Sequence, residues 1–148
     1  MGSDNPFYLG YGVRVSKDVE SCEKALKDAG IDEDCVKVFR ACDGVWLILR
    51  PKRFMWATVP CEDRCVWMYK RGIYDNLVTS YERYVQPARD SRPYWYEWSD
   101  VRVAARRYRR RERKRSKGTN LAMLLVVACA IEGSRLEAEL IVWDHWSY

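Results

Sequence analysis

Between Arg106 and Lys117 the chain reads RRYRRRERKRSK, nine Lys or Arg to a single acid, Glu112. That segment carries +8 in a chain whose total is +5, so the remaining residues sum to about −3. The cationic character is therefore local. A run this dense repels itself and gains nothing from burial. It does gain from contact with a polyanion, because each cation that neutralises a phosphate releases condensed counterions. Arginine outnumbers lysine seven to two in the run, and guanidinium groups fork onto phosphate and stack on bases where ammonium groups cannot. The expected nucleic-acid contacts are Arg106, Arg107, Arg109, Arg110, Arg111, Arg113, Lys114, Arg115 and Lys117, with Arg102 one turn upstream and Tyr108 as an exposed ring among the charges. Two blander readings of such a run are a solvated helix face and a nuclear-import signal.

Other residues suggest weaker chemistry. Arg50, Lys52 and Arg53 flank Pro51 and are expected to form a secondary basic contact at a sheet edge. Tyr94, Trp95, Tyr96 and Trp98 precede the basic run, and rings beside arginines suit single-stranded nucleic acid; buried anchoring of the two tryptophans is the competing reading. Cys61 and Cys65 could share a helical face, with Cys35 and Cys42 completing a zinc set, but no C-x-x-C is present and scattered cysteines usually pack as small apolar residues. The sequence is therefore read as binding no metal and needing no cofactor. One histidine, His145, rules out a two-histidine metal site, and no signature accompanies it for a thiol dyad. Glu132, Glu137, Glu139 and Asp144 are the carboxylates a metal-dependent nuclease would draw on; solvation of an outward strand face explains Glu137 and Glu139 equally well. No catalytic residue is assigned.

The elements that must carry these residues follow from periodicity. Phe7, Leu9, Tyr11, Val13 and Val15 alternate as a half-buried strand. Ser16 is placed to cap a helix with Asp18 and Glu20 in its first turn, whose face is Val19, Cys22, Leu26 and Ala29, closed by Gly30 with Ile31 folding back. Cys35 to Val59 reads as a three-stranded meander turning at Asp43-Gly44 and again at Pro51-Lys52. Val66, Tyr69, Ile73, Leu77 and Tyr81 recur at helical spacing, Gln86 to Pro93 is a linker, and Ser99 or Asp100 caps a helix whose apolar stripe of Val101, Ala104, Ala105 and Tyr108 ends there, leaving a charged extension. Leu121 to Ile131 suits either a helix, capped by Thr119 or Asn120 and closed by Gly133, or one arm of a hairpin; helix is favoured narrowly. Leu136, Ala138, Leu140 and Val142 alternate as a last strand.

The fold class is α+β: a small mixed or antiparallel sheet packed with helices, with an arginine-rich helical extension. Residues 1–98 form the core, 99–118 the arm, and 119–148 the segment completing the core. The element order also fits a ferredoxin-like sandwich with an extra strand, by analogy alone. The longest apolar run, Leu121 to Ile131, has eleven residues, short of the roughly 18 needed to cross a bilayer. With no visible secretory signal, the expected location is intracellular, in cytoplasm or nucleus, with reduced cysteines. The expected function is a non-catalytic nucleic-acid-binding or regulatory protein, RNA favoured over DNA. The alternative is a protein-interaction adaptor or viral accessory or structural protein, self-association included, that uses the basic run for import. A metal-dependent nuclease is third.

Overall fold

The computed structural model describes residues 5–41, 44–56, 66–70, 76–79 and 99–144. The order is β1 (Asn5–Val15), α1 (Val19–Asp28), β2 (Val36–Ala41), β3 (Gly44–Trp56), β4 (Val66–Lys70), β5 (Asn76–Thr79), α2 (Ser99–Lys114), α3 (Leu121–Glu132) and β6 (Glu139–Asp144). The strands form one sheet in the order β2-β3-β1-β6-β4-β5, with every pairing antiparallel. The chain is therefore α+β. Strand β3 lies between β1 and β2, and β1 lies between β3 and β6, so two split β-α-β units interleave. This is the ferredoxin-like order anticipated from the elements, with the hairpin β4–β5 added beyond β6.

The alternation in β1 sets the layers. Phe7, Leu9, Val13 and Val15 are buried toward the helices. Helix α2 covers Phe7, Leu9, Trp56, Leu140 and Val142, while α1 and α3 share Val13, Val15, Val45, Leu47 and Leu49. Thus the three described helices lie on one face. The opposite face closes on itself. Phe39 of β2 stacks on Trp143 of β6 with ring centroids 4.8 Å apart, although three strand spacings of about 4.8 Å separate those strands along a flat sheet. The sheet must therefore curl. Ile48 and Ile141 meet over Gly12, where an added Cβ would lie 2.5 Å from Ile48 Cδ1 and 2.9 Å from Ile141 Cδ1.

Helix α1 begins at Asp18, whose carboxylate accepts from the Ser21 N–H at 2.8 Å; the cap is Asp18 rather than the expected Ser16. It ends as read, with Gly30 at φ 76°. The Ile31 N–H donates to the Leu26 carbonyl and the Gly30 N–H to Lys27, each at 3.0 Å, which is the paired-bond closure a left-handed glycine permits. Ser16 instead donates through both its hydroxyl and its N–H to the Glu132 carboxylate, tying the end of α3 to the β1–α1 junction. Helix α3 resolves the ambiguity in favour of helix: Asn120 caps it at 2.9 Å and Gly133 closes it. Strand β6 starts at Glu139, so Leu136 and Ala138 of the alternating stretch precede it.

Two further expectations fail. Strand β3 does not turn at Pro51-Lys52, and the meander is a hairpin with one long arm of 13 residues. Leu9 pairs with Lys52 and Tyr11 with Leu49, so Gly10 alone faces Arg50 and Pro51. That is a bulge, which accommodates the missing proline N–H. Arg50 takes φ 38° there. Gly10 admits the crowding, since a Cβ would lie 2.8 Å from Ile48 Cγ2 and 3.2 Å from the Leu49 oxygen. The extra residue reverses the alternation. Leu47 and Leu49 face the helices before it, and Phe54 and Trp56 after it. The second failure is the helix expected from Val66 onward. Val66–Lys70 and Asn76–Thr79 are antiparallel strands instead. Their Val, Trp, Tyr and Thr content favours a pleated surface, and the helical spacing arose from two antiparallel strands read as one run. The expected turn at Asp43 (with Cys42), the linker at 86–93 and the rings at 94–98 lie at least partly outside the described residues.

Candidate nucleic-acid interface

Helix α2 is built on a stripe of Val101, Ala104, Ala105 and Tyr108, all buried, as the spacing anticipates. The docking then runs one turn further than the apolar stripe. Tyr108 is 1% exposed, so its ring is not the exposed platform expected among the charges. Its ring packs edge-on against Tyr11, centroids 5.3 Å apart. Its hydroxyl accepts from the Tyr11 N–H at 3.1 Å and donates to the Leu49 carbonyl. Tyr11 and Leu49 are register partners beside the bulge, so the phenol bridges two backbone groups that the bulge has parted. Burial above all holds the hydroxyl far above the usual tyrosine range, leaving it a protonated donor.

One turn on, Glu112 meets Arg50. Arg50 Nη2 lies 2.5 Å from Glu112 Oε1 and Arg50 Nε donates to Oε2 at 3.2 Å, a two-pronged contact. The side chains are 13% and 9% exposed. The Glu112 hydrogen bond is the foremost reason that Arg50 is held above the ordinary arginine value. Arg115 Nε lies 3.7 Å from the same carboxylate. The lone acid of the basic run is thus engaged with the body of the protein, and eight of the run's nine cations are exposed. Arg106, Arg107, Arg110, Arg111, Arg113, Lys114, Arg115 and Lys117 are exposed. Arg102 and Arg109 are half-buried and make contacts of their own.

The secondary basic triplet is split rather than brought together. Arg50 is neutralised by Glu112. Arg53 pairs across from Tyr8, on the sheet face away from the helices. Lys52, swung to the helix side by the bulge, joins the arginine helix. Desolvation, then the nearby charges of Arg111 and Arg107, hold its ammonium below the usual lysine value. Crowding of three cations from two elements is unfavourable in the free protein and is relieved by a bound anion.

At the end of α2 an open pocket of about 440 Å³ is lined by Arg111, Lys114, Arg115, Ser116 and Lys117. Another, of about 620 Å³ between α1 and β2, mixes Glu20, Glu23, Asp32 and Glu33 with Lys24, Lys27 and Lys37, so its field favours neither sign strongly. Among the described residues no three His, Cys, Asp or Glu side chains gather to hold a metal ion. Cys22 is buried, with burial foremost pushing its thiol up to about 11, a value at which it is a packing residue and not a nucleophile. No described helix is long and apolar enough to cross a membrane.

The role of Glu112 was the one missed by sequence reading. The signal was present: Glu112 continues the buried series at four residues beyond Tyr108, on the docked face. Comparison of the chain with protein-family models, with curated proteins and with solved structures finds no match to any of them.

Proposed function

We propose that this protein binds nucleic acid without catalysing a reaction on it, with RNA preferred over DNA, through the outward cations of α2 joined by Lys52. The observation that carries the reading is the pairing of Glu112 with Arg50. It fastens the helix to the sheet and engages the run's one acid with the body of the protein, so six exposed cations are displayed along a fixed helix, with Arg115 and Lys117 just past its end. Cations held in place lose less freedom on binding than those of a floppy tail. Helix α2 has no Asn or Gln to pair bidentately with adenine, and its cations suit phosphate as well as base edges, so affinity should depend weakly on sequence. The preference for RNA rests on the arginine-rich composition.

The test is fluorescence anisotropy of the nuclease-treated protein with labelled RNA over a salt series. If about five phosphates are engaged on a single strand, log K should fall against log salt with a slope of about −3.5, roughly a hundredfold between 50 and 200 mM. Replacing Arg107, Arg110, Arg111 and Arg113 with Gln should abolish most of the affinity. Binding that survives this replacement, or that ignores salt, overturns the reading.

A protein-interaction role is favoured by one separate observation. Helix α3 is apolar around its circumference and leaves Met123 46% and Val126 69% exposed, where a helix of that composition is ordinarily covered. Light scattering on nuclease-treated protein separates the two: a monomer at tens of micromolar disfavours self-association.

A further inference from the structure

We propose that the pocket at the end of α2, lined by Arg111, Lys114, Arg115, Ser116 and Lys117, is a seat for a terminal phosphate monoester of a nucleic-acid strand, with Arg107 and Lys52 receiving the adjoining phosphodiester. This rests on the nucleic-acid reading and makes it specific: the protein grips strand ends in preference to strand interiors.

Charge matching carries the argument. An internal phosphodiester brings one negative charge. A terminal monoester, like a phosphorylated side chain, brings about −1.5 to −2 at neutral pH and three acceptor oxygens. The pocket offers four cations and one hydroxyl around a shallow, open depression of about 440 Å³, more than one diester can use. The cations of a helical rod normally diverge. Here the helix stops at Lys114, and residues 115–120 leave its axis, with Gly118 at φ 88°. Arg115, Ser116 and Lys117 are thereby brought back to Arg111 and Lys114. The Arg115–Glu112 ion pair also matters: Nε lies 3.7 Å from Oε2, which steers the guanidinium at the edge of the pocket. The carbonyl end of α2 opposes an anion with about half a charge, and four cations outweigh it. Beyond Arg111 the patch continues to Arg107 and Lys52, where desolvation first, and the two guanidinium charges after it, hold the Lys52 ammonium below the usual lysine value.

The experiment compares one 12-nucleotide RNA in three forms, with a 5′-phosphate, a 3′-phosphate, or hydroxyls at both ends, by anisotropy at fixed salt on the full, nuclease-treated chain. A phosphate-ended strand should bind about 10-fold tighter than the hydroxyl-ended one, and whichever end gains identifies the polarity. The variant Lys114→Gln/Lys117→Gln, with both side chains exposed, should erase that gain and weaken the hydroxyl-ended strand far less. Equal affinity for all three forms overturns the seat and leaves the nucleic-acid reading standing. If no strand binds, that reading falls. Titration of inorganic phosphate by calorimetry then decides the seat alone: millimolar or tighter binding lost in the variant supports an anion site, and none overturns it.

Discussion

Removing a single oxygen from Tyr108 should cost the fold far more than it costs binding. In Tyr108→Phe the ring still fills its space against Tyr11, so apolar packing is kept. What disappears is the bridge between the Tyr11 N–H and the Leu49 carbonyl. Each buried backbone group left without a partner costs about 1–3 kcal/mol. The two strands cannot simply close on each other, because the bulge at Arg50 and Pro51 holds the register partners apart. Allowing some recovery by relaxation, the expected loss is roughly 2–4 kcal/mol out of a total of about 5–15. For a domain of this size that is a fall in melting temperature of roughly 5–15 °C. Urea unfolding followed by tryptophan fluorescence measures it, with the slope checked for constancy so that the midpoint shift reports stability. A change below about 0.5 kcal/mol refutes the bridge, since that is the range of surface substitutions. If Tyr108→Ala instead lowered RNA affinity with stability intact, the ring would belong at the nucleic acid, where the sequence alone had suggested it.

Glu112→Ala strands a mostly buried guanidinium and should destabilise by about 3–5 kcal/mol, while Arg50→Met/Glu112→Leu should recover most of the loss. A double variant no better than the single one in urea unfolding would mean that the pair does not hold the helix down. The carboxylates of Glu132 and Asp18 are both held below the ordinary range, by Ser16 and Ser21 hydrogen bonds respectively. Their stabilisation is therefore complete above the unfolded carboxylate range near pH 4 and is lost as pH falls through the lower folded values. Glu132→Gln should flatten the acid limb of the stability–pH curve below about pH 4.5, and an unchanged limb would show that Ser16 does not favour the ionised form.

Much of the fold was legible because local signals agreed with tertiary demand. The alternation of Phe7 to Val15, the glycine closures at Gly30 and Gly133, and the stripe from Val101 to Tyr108 all describe faces that are buried. The failures share a cause. Arg50-Pro51-Lys52 carries the composition of a turn and breaks the alternation, yet the strand continues because the neighbour across it is Gly10. The spacing of Val66, Tyr69 and Leu77 mimics a helix because periodicity cannot see a reversal of direction. The cations of the site were legible from density alone. Their geometry was not: it depends on Glu112 finding Arg50, 62 residues away, and on Lys52 changing sides.

The bulge acts as a phase switch in β3. Flattening it with both residues kept would pair the chain beyond it one position out of phase, and everything beyond would exchange faces. Arg53 and Met55 would press into the layer beneath α2, Phe54 and Trp56 would be thrown to the far side, and Lys52 would leave its arginine neighbours. Deleting Pro51, by contrast, would leave Lys52, Phe54 and Trp56 opposite the same partners on β1. Loss of that residue should therefore be better tolerated than loss of a residue beyond the bulge, which would shift the alternation of the rest of the strand.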